Sequence, residues 1–254
     1  MILRRLGNKS RIAEKIQTYF PEHTIYVEPF FGAGGMFFNK PKSKYNFLND
    51  IDEDVYNLFR QIIDNKEEFT NLIEIFPVTE KQFKEWNKKR EETPMLNALR
   101  FIILSNFGYM GKPNTLNFAI GNSKKYILDG INETFKFMSD VKLLNGDFRD
   151  FFKKISFRHE IEKEKAFIYA DPPYLGTANN YSRSFSQKDS VDLFDCLQEY
   201  GVKFAMSEFD NDFIISQAKE RNLNIIEIGE RQNMKNRRTE ILITNYRHQP
   251  SLFD

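Results

Sequence analysis

The four residues Asp171-Pro172-Pro173-Tyr174 constrain this chain more than any other stretch. They follow Ala166-Phe167-Ile168-Tyr169-Ala170, a short apolar run of β-formers that reads as a buried strand. The tetrapeptide therefore falls where a strand ends, and in an open α/β sheet ligands bind outside the carboxyl ends of the strands. Two prolines fix φ and remove two backbone donors, which leaves the carbonyls of Asp171 and Pro172 as acceptors on a stiff corner. Such a corner suits a flat ring bearing an amino group, with the ring stacked on Tyr174. The same four residues also make good β-turn chemistry, so alone they leave a turn and a site equally open.

Three other stretches repeat the pattern. Ile25-Tyr26-Val27-Glu28 runs through Pro29-Phe30-Phe31 into Gly32-Ala33-Gly34-Gly35, where glycines permit a tight turn and close approach of a ligand, with a helix expected from Gly35-Met36-Phe37-Phe38. Asn46-Phe47-Leu48-Asn49-Asp50 is a strand ending in an acid about 18 residues past Gly32, the spacing that puts a carboxylate on ribose hydroxyls in Rossmann-like units. The glycine pattern is not GxGxxG and better suits a nucleoside without a pyrophosphate. Val141-Lys142-Leu143-Leu144 leads into Asn145-Gly146-Asp147-Phe148; Asp147 and Phe148 read equally as an amino-group acceptor with a stacking ring or as a helix cap with a core residue. Four polar turns at four strand ends favour one enzyme site over four independent turns.

The rest of the chain reads as follows. Gly7-Asn8-Lys9 precedes a helix from about Arg11 to Tyr19 that Ser10 would cap. A helix is expected over Ile51 to Asn71, with Val55, Leu58, Phe59, Ile62 and Ile63 on its apolar side. Lys81 to Arg90 is basic with interleaved aromatics, and Met95 to Leu104 is a buried helix. Ser105 to Phe118 reads as a loop or hairpin with exposed aromatics, and Leu175 to Lys188 as a polar active-site loop. Helix Asp189–Tyr200, strand Val202–Ser207, helix Asp212–Glu220 and strand Asn224–Ile228 follow. Glu230 to Arg238 reads as a basic loop before a last strand, Thr239–Tyr246, which closes a hairpin with the strand before it.

The chain has 254 residues, a formal net charge of +1, and three scattered histidines without metal-ligand spacing. Any nucleic-acid contact must come from local patches rather than bulk charge. The single Cys196 excludes an intrachain disulfide and a cysteine-based zinc cluster, and its helical setting favours a structural thiol. No signal peptide or membrane-length apolar run is visible, so a cytoplasmic location is expected.

With Leu6-Gly7-Asn8-Lys9 first, then Glu28-Pro29-Phe30-Phe31-Gly32-Ala33-Gly34, Leu48-Asn49-Asp50, Asp171-Pro172-Pro173-Tyr174 and Glu240-Ile241-Leu242-Ile243-Thr244-Asn245, the chain resembles the Dam-like adenine-specific DNA methyltransferases of the α group. The resemblance implies an α/β fold: a Rossmann-like S-adenosylmethionine-dependent sheet with helices on both faces, plus an inserted, mainly helical target-recognition domain with a β-hairpin. Residues 1–56 and 140–254 would form the catalytic domain and 57–139 the target-recognition domain. The implied reaction moves the methyl group of S-adenosylmethionine to N6 of an adenine flipped out of a short double-stranded DNA site. Asp171, Pro172 and Tyr174 would be catalytic. Asn8, Lys9 and Asp50 would hold the cofactor's carboxylate and ribose; Glu28, Phe31, Gly32 and Gly34 would line its pocket. Asp147 and Phe148 would hold its adenine, Tyr181 would help close the pocket, and Asp171 would border the cofactor too. Tyr109, Lys112, Asn114, Arg231, Lys235, Arg237 and Arg238 are the candidate DNA contacts. The expected partner is double-stranded DNA, with no metal and no membrane, and a restriction endonuclease acting on the same site is a candidate partner. A monomer, bacterial or phage-encoded, is expected. The rival readings are an RNA-adenine or protein-glutamine methyltransferase and a catalytically inactive DNA-binding relative.

Overall fold

A computed structural model describes residues 2–3, 9–108, 115–117, 123–175, 185–232 and 237–248. The chain divides into two compact units: one of Met1–Arg11, Gly32–Asn39 and Asp52–Val141, the other of Ile12–Phe31, Lys40–Ile51 and Lys142–Asp254.

The second unit holds a seven-stranded sheet. Its strands are β1 (Ile25–Glu28), β2 (Tyr45–Asp50), β3 (Lys142–Asn145), β4 (Ala166–Ala170), β5 (Lys203–Phe209), β6 (Asn224–Gln232) and β7 (Arg237–Thr244), in the order β3-β2-β1-β4-β5-β7-β6. The five strands from β3 to β5 run parallel, while β7 is antiparallel to both β5 and β6. The strand order reverses between β1 and β4, the kind of switch point where open α/β sheets bind ligands. Ala166, Ile168 and Ala170 alternate with Phe167 and Tyr169, and the two sets meet different neighbours. The first set joins Val27, Phe204, Met206, Ile241 and Ile243 in an apolar core. Helices α7 (Phe148–Lys154), α9 (Gln187–Glu199) and α10 (Asp212–Glu220) add phenylalanines, leucines and other apolar side chains to it, while the short α8 (Glu160–Glu164) buries none. The second set meets aromatic rings: Phe20 lies 4.5 Å from Phe167 and 5.4 Å from Tyr169, and His23 lies 5.1 Å from Phe167.

Several boundaries differ from the sequence reading. Helix α1 is only Ala13–Gln17, with Ile12 at its N-cap and no side-chain cap, so Ser10 does not fill that role. Gly35–Phe38 gives a single 3-10 turn, Phe37–Asn39, rather than a helix. The described residues of the basic stretch, 230–232 and 237–238, are strand: Arg231 pairs with Arg238 and Gln232 with Arg237 across the β6–β7 ladder, the expected hairpin partners. Cys196 is half-buried in α9, and burial pushes its thiol up, which suits a structural role.

The first unit is helical among its described residues. The expected long helix splits at Asn65 into α2 (Glu53–Asp64) and α3 (Lys66–Ile75); Asp52 caps the first through the Asp54 amide. Thr79 caps α4 (Glu80–Trp86), and Thr93 caps α5 (Pro94–Phe107). The basic, aromatic stretch is thus a helix that turns Phe83 and Trp86 inward and its lysines outward. Helix α5 runs further than expected: Ser105, Asn106 and Phe107 are helical and buried, and Asn106 donates to the Ile2 carbonyl at 2.9 Å. Gly108 and Leu116 then form an antiparallel bridge. Helix α6 (Ser123–Met138) completes the unit. No helix among the described residues is long and apolar enough to cross a membrane.

Candidate active site

The Asp-Pro-Pro-Tyr corner leaves the end of β4, beside the switch point, as the apolar run before it required. Asp171 and Pro173 are half-buried, and Pro172, Tyr174 and Leu175 are buried. The Tyr174 hydroxyl donates to Glu240 Oε1 at 2.5 Å, and its ring meets the edge of Phe209 at 4.6 Å. Burial, then the negative charges of Asp171 and Glu240, hold the Tyr174 phenol well above its ordinary range. The Asp171 carboxylate also raises the phenols of Tyr26 and Tyr169 and the carboxyl of Glu28, each already raised by burial. Asp171 is therefore the charge felt in common by Tyr26 and Glu28 of β1, Tyr169 of β4 and Tyr174 of the corner.

Glu28 stands at the end of β1, on the Tyr26 side of the strand. It is buried, and Tyr26 Oη donates to its Oε2 at 2.8 Å. Burial and the like charges of Asp171 and Asp50 hold its carboxyl well above the usual carboxylate range, against the pull of the Tyr26 hydrogen bond and Lys40. Lys40 is itself buried, lies 4.2 Å from the Tyr26 ring centre and donates to Ser43 Oγ at 2.9 Å. Burial brings its ammonium down to about 8. Glu28 thus feels the charges of two other strand-end acids, Asp171 and Asp50.

The turns after β1, β2 and β3 are laced together. Asn49 Nδ2 donates to the Pro29 carbonyl and to the Gly146 carbonyl, at 3.0 Å each. The Phe31 amide donates to the Asn49 carbonyl at 2.8 Å. The Asp50 carbonyl accepts from the Gly146 amide at 3.2 Å and from Asn145 Nδ2 at 2.8 Å. Asp50 is half-buried, so its carboxyl remains within reach of a ligand. After Phe31 the chain enters Gly32 and Gly34, with φ of 54° and 73°, a left-handed path that side chains disfavour.

Beyond β3, Asp147 caps α7 by accepting from the Arg149 amide at 2.9 Å. The Arg149 guanidinium bonds both Asp147 oxygens, then Asp189 at 2.6 Å and Asp192 at 2.7 Å. It also lies 4.3 Å from the centre of the Phe148 ring. Phe148 is buried, with Phe30 at 5.4 Å and Phe185 at 6.2 Å. Asp147 is thus a helix cap with a half-exposed carboxylate, and Phe148 is a core residue.

The structure brings Glu28, Asp50, Asp147 and Asp171 to the carboxyl ends of four neighbouring parallel strands of one sheet. Phe31, expected to line a pocket, is almost wholly interior, and Lys9 is buried in the other unit. Asn8, Tyr181, Tyr109, Lys112, Asn114 and Lys235 lie outside the described residues. Arg231 and Arg237 lie on strands, and the Arg238 guanidinium sits 5.5 Å over the Phe209 ring. The sequence reading missed Asn49, Arg149, Glu208 and Glu240. An asparagine next to a strand-ending acid was the one available signal, since side-chain amides tie turns together. Among the described residues no group of three His, Cys, Asp or Glu is placed to hold a metal ion.

Strand order, the lone antiparallel β7 and four acids at the strand ends define a Rossmann-like methyltransferase. The family model of the D12 class N6 adenine-specific DNA methyltransferases matches residues 6–234, and the chain belongs to that S-adenosylmethionine-dependent family. It is 25% identical over 276 residues to the type II methyltransferase M1.LlaDCHI of Lactococcus lactis subsp. cremoris, covering 94% of this chain and 93% of that one. It is likewise 25% identical to a DNA adenine methylase of Vibrio cholerae, covering 88% of this chain and 86% of the relative. The modification methylase StsI of Streptococcus sanguinis is 25% identical over 96% of this chain, which spans only 42% of StsI. Among solved structures, a putative methyltransferase of Streptococcus mutans in complex with SAH aligns over 96% of this chain with a TM-score of 0.41 and 10% identity.

Proposed function

We propose that the chain is a site-specific DNA methyltransferase (adenine-specific) whose β4 corner receives an adenine flipped out of the duplex. The observation that carries this reading is the placement of the Asp171-Pro172 corner at the switch point of the sheet, with Asp171 in electrostatic reach of Glu28. The N6 lone pair of adenine is delocalised into the ring and is a poor nucleophile. When the two N6 hydrogens bond the Asp171 carboxylate and the Pro172 carbonyl, the nitrogen is drawn toward a tetrahedral shape with its lone pair free on one side. Positioning of this kind supplies up to roughly 7–11 kcal/mol in favourable intramolecular reactions. Acceptors facing a nitrogen that turns cationic also stabilise the transition state. One N6 hydrogen leaves as a proton once the N–C bond has formed, with the Asp171 carboxylate in place to hold it. S-adenosylmethionine would supply the electrophilic methyl group and leave as the neutral thioether S-adenosylhomocysteine, its carbon–sulfur bond breaking as the N–C bond forms. The residues present fit its parts: Asp50 for the ribose and Asp147 for the adenine amino group. Flipping costs a few kcal/mol, part of which stacking against Tyr174 returns.

Target recognition is assigned to the helical insert, 57–139, with Tyr109, Lys112 and Asn114 as base or backbone contacts. Arg231, Lys235, Arg237 and Arg238 are assigned to phosphates. The β6–β7 register supports this: it sets Arg231 opposite Arg238 and Gln232 opposite Arg237, so three of these positions fall together at one end of one hairpin. A cytoplasmic enzyme, acting beside a restriction endonuclease of the same site, agrees with the names of the type II and modification relatives.

Incubation with labelled S-adenosylmethionine and duplex DNA, RNA or protein tests the reading. Label is expected at adenine N6 in DNA, and Asp171→Ala should lower its rate by about 100-fold or more while leaving cofactor binding largely intact. Label confined to RNA or protein would reject the proposal.

A further inference from the structure

Two buried carboxyl groups, Glu208 and Glu240, clamp the β4 corner from opposite faces of the sheet. Phe204 and Met206 belong to the apolar core of α7, α9 and α10, so strand alternation puts Glu208 on that face. Ile241 and Ile243 belong there too, which puts Glu240 on the other face, opposite Phe209 in register. Glu208 is 1% exposed and Glu240 is 0% exposed. Each takes one group of the corner. The Tyr174 hydroxyl donates to Glu240, and the Leu175 amide donates to Glu208 Oε1 at 3.0 Å. The other Glu208 oxygen accepts from the Phe209 amide at 2.6 Å, which ties the corner to the end of β5. Phe209 in turn fixes the Tyr174 ring edge-on.

Carboxyl groups this deep are costly to bury, and apolar side chains of similar size would stabilise a core as well or better. The prolines at 172 and 173 have no N–H, so backbone donors for anchoring the corner must come from the residues flanking them. We propose that Glu240 and Glu208 are positioning residues for methyl transfer, holding the Tyr174 ring and the Leu175 backbone so that the Asp171 carboxylate and Pro172 carbonyl stay aimed at the target amino group. This rests on the reading that the corner receives the adenine. Glu240 also shares its strand face with Arg238, two residues earlier, whose guanidinium lies over Phe209. A phosphate contact at Arg238 would therefore bear on the same ring that steadies Tyr174.

Steady-state methylation of duplex DNA by the full chain is measured for the wild type, Glu240→Gln, Glu240→Leu, Tyr174→Phe and the doubles. Glu240→Leu and Tyr174→Phe should each lower kcat by about 10- to 100-fold, the scale of a small misplacement, with KM for S-adenosylmethionine changed less than about twofold. Glu240→Gln keeps an acceptor oxygen and should stay within about threefold of the wild type. In the Tyr174→Phe background neither Glu240 variant should cost more, because the two groups act through one bond. Glu208→Gln should likewise act on kcat and not on KM for the cofactor. Wild-type kcat in Tyr174→Phe, additive losses, or Glu240→Gln as slow as Glu240→Leu would overturn the proposal. Should Glu240→Leu fail to fold, Glu240→Gln, Tyr174→Phe and their double decide the matter alone. A wild type that puts no label in DNA would refute the proposed function instead, which separates the two failures.

Discussion

The β3 and β4 corners both turn a parallel strand into an acid followed by an aromatic, yet they are braced in opposite ways. At the β3 corner, Asp147 is held by Arg149, which reaches across to Asp189 and Asp192 on α9. That network is open to water: Lys188 and Arg149 hydrogen bonds hold Asp192 below the ordinary range, and Asp189 sits low despite burial because Ser186 and Arg149 bond it. At the β4 corner the brace is interior, made of Glu208 and Glu240 behind Tyr174 and Leu175. A solvated brace can yield when a ligand with its own hydrogen bonds arrives. A buried one keeps its geometry until the bond itself is removed, which suits the end of the site where aim sets the rate.

The contrast can be broken at the buried end first. Tyr174→Phe removes the hydroxyl that donates to the buried Glu240 carboxyl, and a lost hydrogen bond to a buried carboxyl costs about 1–3 kcal/mol. Thermal unfolding should register that loss at low and high salt alike. Next comes Glu28, between the two corners, whose folded carboxyl lies well above the usual carboxylate range because it is buried. From the ordinary carboxylate range up to the folded value the folded chain binds more protons than the unfolded one, so Glu28 makes stability fall as pH rises through that window. Glu28→Gln keeps the Tyr26 partner and removes the titration. Unfolding midpoints followed across that window should then decline less steeply than the wild type's, by at most about 1.4 kcal/mol per pH unit. The smallest effect belongs to the solvated end. Arg149→Met should cost about 1 kcal/mol or less per ion pair, most of it gone in molar salt. A salt-independent loss there, or a salt-dependent one at Tyr174, would erase the distinction between the corners.

The sheet was legible because each strand is a short apolar run that stops at a polar turn. Ala166–Ala170 could be placed to the residue, and Asp212–Glu220 likewise, since its capping Asn211 and its apolar spacing agree. The acids at the strand ends stood out for the same reason. What supports them did not. Arg149 meets Asp189 and Asp192 across some forty positions, and Tyr174 meets Glu240 across sixty-six, so no local pattern announces either pair. The insert was misread where local composition and tertiary burial disagree: Asn106 and Phe107 look like loop residues, yet α5 extends through them because Asn106 bonds the Ile2 carbonyl inside the unit. The Arg231–Arg238 stretch was misread as a loop because charge hides alternation in a strand that pairs only at an edge hairpin.

Asn49 has a consequence of another kind. Its one amide group spans the gap between the main chain after β1 and the main chain after β3, touching both at 3.0 Å. The width of that gap is therefore set by the length of a single side chain, as a spacer sets the jaws of a gauge. Any drift in the sequence of one turn has to leave its carbonyl where the spacer ends, so the two turns are not free to change independently.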